Sequence, residues 1–124
     1  MWYVEFDPTK KLLTLRLTAT VTAQAVRALM RAHGQALAST GGSEFGVLAD
    51  LRGLAPLDRD SANLFSEIKR SAVALPGFRA RAVLVDSATI ALQQKRTSID
   101  TDATQFEVVT NDETEAVEHI RAAM

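Results

Sequence analysis

The first twenty residues alternate. Trp2, Val4 and Phe6 are apolar, and Tyr3, Glu5 and Asp7 interleave with them. Leu13, Leu15 and Leu17 repeat the pattern against Thr14, Arg16 and Thr18. Period two with one polar face predicts two half-buried strands. Between them Asp7-Pro8-Thr9-Lys10 suits a type I turn, with aspartate first and proline second. The chain therefore opens with a β-hairpin. The period then changes. Val26, Leu29, Met30, His33 and Leu37 recur at helical spacing and predict a helix over about 22–39. Thr22 caps its start, and Gly41-Gly42 ends it.

Beyond that glycine break, FGVLAD (45–50) reads as a strand. A second helix is predicted over about 58–75, with Leu64, Phe65, Ile68, Ala72 and Leu75 as its buried stripe. Asp58, Asp60 and Ser61 favour its start, Lys69 and Arg70 favour its later turns, and Pro76-Gly77 stops it. ARAVLVD (80–86) is the most strand-like run in the chain. Ser87 caps a third helix to about Ile99, and FEVVT (106–110) is the last strand. Asp112 with Glu115 opens a final helix as a capping-box variant, with Val117, Ile120 and Met124 on its inner face. The order β-β-α-β-α-β-α-β-α makes the strands after the hairpin parallel. Right-handed crossovers between neighbours, taken to the end of the chain, put all the helices on one face. The fold class is α/β: one domain over 1–124, a hairpin-led mixed sheet with its helices mainly on one face.

Composition narrows the classes of function. The 124 residues are 47% hydrophobic and 23% charged, with a formal net charge of −1. That is ordinary globular composition, with no electrostatic reason to expect nucleic acid or an anionic membrane as partner. No cysteine is present, which removes disulfides, thiol nucleophiles and Cys-ligated metal together. With no signal-peptide pattern and no run long enough to span a membrane, the expected location is the cytoplasm.

The candidate chemistry gathers around FGVLAD. Asp50 and Arg52 lie two apart at a strand end, so both side chains can point the same way. They read either as a corner that binds an anion or a partner, or as a local ion pair fixing a loop that turns at Gly53. Ser61 falls at a helix start, where free N–H groups and the helix dipole favour a phosphate, while Asp58 and Asp60 oppose one. Its plain alternative is a first-turn serine. A receiver-like phosphoaspartate site at Asp50, with Ser87 as the hydroxyl, lacks the acidic pair and the lysine it needs. His33 on an apolar helix face and His119 near the C-terminus read as a partly buried structural histidine and a surface one. Neither they nor Ser87 form a metal or hydrolase pattern, and Gly41-Gly42 is no phosphate loop.

Val47 to Ser66 (VLADLRGLAPLDRDSANLFS) resembles the SpoIIAA-like, or STAS, domains of anti-sigma factor antagonists, and the STAS/SEC14-like bacterial proteins of unassigned role. The likeness lies in a strand, Asp-x-Arg-Gly at its end, a short loop and an acid-flanked helix start. Ala91-Leu92-Gln93 and Asp112-Glu113-Thr114-Glu115-Ala116 are similar to later segments of that family. The resemblance implies a serine at the second helix start that a kinase phosphorylates to switch partner binding. Asp60-Ser61 matches that motif; Ala62-Asn63 stands where serine and glycine are usual.

Together these readings predict a non-enzymatic regulatory or protein-interaction module. Its binding residues are Asp50, Arg52, Asp58 and Ser61, with Ser61 the possible phosphorylation site. No catalytic residue, cofactor or metal is expected. The partner is another protein or a second copy of the chain in a homodimer. The alternative is a carrier of a small apolar ligand, with Trp2 and Phe6, or Leu54, Pro56 and Leu57, as a partly exposed patch. A third reading is a metal-dependent enzyme with Asp50, Asp58 and Asp60 around a hard cation.

Overall fold

The hairpin forms as its alternation requires. In a computed structural model that describes residues 1–101 and 104–124, β1 (Trp2–Asp7) pairs antiparallel with β2 (Leu12–Leu17), Trp2 opposite Leu17. The Asp7 carboxylate accepts from the Thr9 and Lys10 N–H groups at 2.9 and 3.1 Å and closes the turn. Three parallel strands follow in sheet order: β3 (Phe45–Asp50), β4 (Phe78–Leu84) and β5 (Glu107–Thr110). The helices are α1 (Ala23–Ala38), α2 (Arg59–Val73), α3 (Ala88–Asp100) and α4 (Glu113–Ala122), with a 3₁₀ turn at Thr104–Phe106.

Each helix begins where a side chain can take an orphan N–H. Thr22, Asp58, Ser87 and Asp112 are the N-caps, accepting from Ala25, Ser61, Ile90 and the Thr114–Glu115 pair. The order of elements is the expected one, with one correction of placement. α1, α2 and α3 cover one face with Leu13, Leu15, Leu17, Val47, Phe65, Ile68 and Val83 in the core between. α4 lies on the other face, where Ala116 and Ile120 pack on Ala80, Ala82 and Leu84. The crossover rule governs a helix that returns the chain to a parallel strand. No described strand follows α4, so local packing decides its face. Small residues make that face close-fitting: a Cβ added at Gly46 would lie 2.3 Å from Ile120 Cγ2.

The second correction concerns charge. Lys69, read as a late-turn cation, is fully buried. Its ammonium donates to Ser98 Oγ at 2.7 Å, Thr97 Oγ1 at 3.0 Å and the Gln94 carbonyl at 3.2 Å. It also meets Glu107 Oε2 at 3.0 Å, and the Arg81 Nε lies 3.2 Å from that same oxygen. Glu107 accepts from Ser98 as well. Two cations and one carboxylate thus join β4, β5, α2 and α3 inside the core. Burial drives the Lys69 pKa down to about 8; Arg81 adds to this and Glu107 opposes it. His33 is also buried, and burial with the nearby Arg81 charge lowers its pKa to about 4. His119 is half-buried, its Nε2 2.9 Å from the Phe106 carbonyl.

Two outcomes follow from this interior. Glu107→Gln strands two buried cations and lowers the unfolding free energy by about 3 kcal/mol or more, read by urea denaturation. Lys69→Met leaves Arg81 and Glu107 as a neutral pair and costs less; the reverse ranking would refute the triad. The buried imidazole stays neutral in the folded chain down to about pH 4, while the unfolded one takes its proton from about 6.5. Stability therefore falls as pH drops through that window, by about 3 kcal/mol over its full span. His33→Gln removes that slope in denaturation curves collected across the window.

Candidate functional site

The carboxyl ends of β2, β3 and β4 carry the charged corner. Asp50, at the end of β3, is gripped by two arginines. Arg16, opposite it on β2, donates through Nη1 to Oδ2. Arg52 donates through Nε to Oδ1 at 3.0 Å and Nη2 to Oδ2 at 2.8 Å, and its backbone N–H adds a bond to Oδ1 at 3.1 Å. Burial pushes the Asp50 carboxyl up, but the Arg52 hydrogen bonds and the two positive charges outweigh it and hold it below the usual carboxylate range. The Arg52 guanidinium is stabilised as a cation chiefly by its hydrogen bonds and charge contact with Asp50. It also reaches Glu113 at the start of α4, at 3.2 Å. The Asp50–Arg52 pair thus forms, and it fixes the loop. It leaves the Arg52 side chain 41% exposed.

The loop from Leu51 to Asp58 is held at several points. Gly53 turns it with φ +81°, and the Gly53 N–H donates to both oxygens of Asp86 at 3.0 Å. Ala19 N donates to the Gly53 carbonyl at 2.9 Å, and Ala55 N to the Ala19 carbonyl at 3.1 Å. The Gln93 side chain from α3 pairs with both backbone groups of Leu57. Leu54 and Leu57, expected with Pro56 as a partly exposed patch, belong to the core, and Pro56 alone of the three is exposed. Trp2 and Phe6 are half-buried against that core.

The loop delivers the chain to α2. Asp58 is exposed and accepts from the Ser61 N–H at 2.8 Å, a bond that holds its carboxyl below the usual range. Ser61 is the third residue of the helix and fully buried; among the described residues its hydroxyl has no hydrogen-bond partner. The structure therefore brings Asp50 and Arg52 together, and Asp58 to Ser61, as two separate pairs. Asp50 is occupied by guanidinium groups and Asp58 by a backbone N–H. Among the described residues no group of three His, Asp or Glu side chains is placed to hold a metal ion. No described helix is long and apolar enough to cross a membrane.

Sequence reasoning missed Arg16, Glu113 and Asp86. A signal existed for Asp86, which closes the strand-like run ARAVLVD two residues beyond the end of β4, where a parallel sheet presents its loops. A cavity of about 630 Å³ opens beside Arg52, between the start of α3 and the end of β5 at Val109–Asn111.

No family model matches the chain, and no curated protein sequence does. Solved structures do. The anti-sigma factor antagonist SpoIIAA in its unphosphorylated form superposes with a TM-score of 0.68 at 16% identity, covering 100% of this chain and 99% of that one. The Bacillus cell fate determinant SpoIIAA in the phosphorylated form gives 0.67 at 17% identity, covering 98% and 100%. An anti-sigma factor antagonist from Mycobacterium paratuberculosis gives 0.63 at 12% identity, covering 98% and 95%. The chain has the SpoIIAA-like fold, a mixed five-stranded sheet with four helices, and the resemblance around Asp-x-Arg-Gly is matched by the fold over its whole length.

The clasp on Asp50 gives a direct expectation. Asp50→Asn removes the charge that both arginines share and costs about 2 kcal/mol. Hydrogen exchange then speeds up in residues 51–58 while the β4 amides stay protected; uniform acceleration across the sheet would contradict a local clasp.

Proposed function

We propose that the chain is a non-enzymatic regulatory module that binds a protein partner through the loop from Asp50 to Ser61 and the start of α2. The carrying observation is the pinned loop. Its backbone is fixed by Asp86, Ala19 and Gln93, so its charged heads are presented without a large ordering cost on binding. Arg52, Asp58, Arg59 and Asp60 supply an outward surface of mixed charge. The fold shared with anti-sigma factor antagonists supports a binding role over a catalytic one.

SpoIIAA occurs in phosphorylated and unphosphorylated forms. Ser61 is the site this reading assigns to such a modification here. Because its hydroxyl is enclosed, a kinase would have to open the first turn of α2. A phosphate would then face Asp58 and Asp60, and the like charges would keep that turn from closing. Modification would thus alter the binding surface by unfolding one helical turn.

The test is quantitative capture from native lysate, with a variant control. A specific partner is retained by the wild type and by Arg121→Ala, at the far end of α4, and lost with the double variant Arg52→Ala/Ser61→Asp. Full retention by the double variant would place the partner surface elsewhere. A second reading, carriage of a small apolar ligand, is supported by a cavity of about 460 Å³ between α4 and the hairpin side of the sheet, floored by Leu12, Leu48 and Ile120. Native mass spectrometry of freshly purified protein decides it: a co-purified mass lost with Leu48→Trp supports carriage, and a bare chain opposes it.

A further inference from the structure

The change of helix face at the end of the sheet creates a crevice. After β4 the chain rises to α3 on one face; after β5 it drops to α4 on the other. Adjacent parallel strands whose connections leave to opposite faces part at their carboxyl ends, and open α/β sheets bind ligands in that position. Here the parting is the cavity of about 630 Å³ beside Arg52. Its lining is apolar at Val85, Ala88, Ala91 and Val109, charged at Arg52 and Asp86, and polar and uncharged at Ser87, Thr110 and Asn111.

The charges on those walls select a ligand. Arg52 bonds Asp50 and Glu113 through Nε and Nη2, and its Nη1 is engaged by neither. Asp86 accepts only from the Gly53 N–H among the described residues, which leaves lone pairs on both oxygens. The two groups line one cavity, on loops joined by that Gly53 bond, yet they form no ion pair with each other. A guanidinium and a carboxylate held apart in one crevice match a molecule that carries a carboxylate and an ammonium held apart. A lone anion would meet Asp86, and a lone cation would meet Arg52, so each is disfavoured by one wall.

We propose that the crevice between the start of α3 and the end of β5 binds a small ammonium carboxylate of the α-amino-acid class, its carboxylate toward Arg52, its ammonium toward Asp86 and its side chain against Val85, Ala91 and Val109. The site shares Arg52 with the partner surface, so occupancy would draw on the side chain that the partner meets. The assignment does not rest on that reading, because binding is measured on the isolated chain.

Isotope-edited NMR of the full chain, titrated with each proteinogenic amino acid, tests it. At least one is expected to shift the amides of residues 86–91 and 109–111 saturably, with millimolar affinity. Its methyl ester is neutral at the acid end and its N-acetyl derivative at the amine end; each binds about tenfold more weakly. Asp86→Asn retains an acceptor for Gly53 and also weakens binding about tenfold. Ala88→Phe, a change at an exposed position, fills the crevice and abolishes the shifts. No saturable shift with any amino acid, equal binding of the capped derivatives, or unchanged affinity in Asp86→Asn would each overturn the proposal.

Discussion

Glu107 brings a negative charge to two cations that could not otherwise enter the interior. Lys69 arrives from a helix, Arg81 from the neighbouring strand, and both end fully enclosed against one carboxylate oxygen. A buried ammonium or guanidinium is costly unless it is paired and hydrogen-bonded. The donor set of Lys69 shows the second half of that condition: two hydroxyls and a carbonyl from α3 complete its shell. Burial, with the Arg81 charge added to it, lowers the proton affinity of Lys69 and of His33 nearby. The apolar layer around it is ordinary packing. The charged centre ties the edge strand β5 to β4 and to the helices α2 and α3 that lie over it.

The carboxyl end of the sheet repeats the motif, one carboxylate between two cations, with the Arg16 and Arg52 side chains partly exposed. There the solvent is close and the charges cost little, so the arrangement shapes a loop. Asp50 sets Arg52, Arg52 reaches α4, and Gly53 reaches Asp86. The loops after β3, β4 and β5 are thereby tied into one rim. That rim carries the residues proposed for partner binding and borders the crevice proposed for a small ligand, which is where parallel sheets present chemistry.

Much of this was legible in the sequence. Alternation in 2–17, the 3.6-residue stripe in 22–39 and the caps at Thr22, Asp58, Ser87 and Asp112 follow from local rules, and the structure keeps them. The pair Asp50 and Arg52 was visible because two residues apart on a strand share a side. Arg16 and Glu113 were not, since they join Asp50 and Arg52 across 34 and 61 residues. α4 escaped because no crossover constrains it. Lys69 was misjudged because a polar residue on a helix is assigned to water or a cap until its neighbours are known; Ser61 lies in the first turn as read, and its burial was hidden for the same reason. The spacing held a hint, since Ser61, Phe65, Ile68, Lys69 and Ala72 form one buried stripe. Arg81 likewise alternates with Ala80 and Ala82 in a run of buried residues.

The order in which the triad is encoded bears on biosynthesis. Lys69 and Arg81 precede Glu107 along the chain, so a nascent protein that has emerged only through β4 holds both cations and lacks their counter-charge. Hairpin, α1 and β3 can associate, but closing α2 over β4 would seal two unpaired charges in a dry layer. Closing α2 over β4 without stranding those charges therefore depends on the edge strand that carries Glu107.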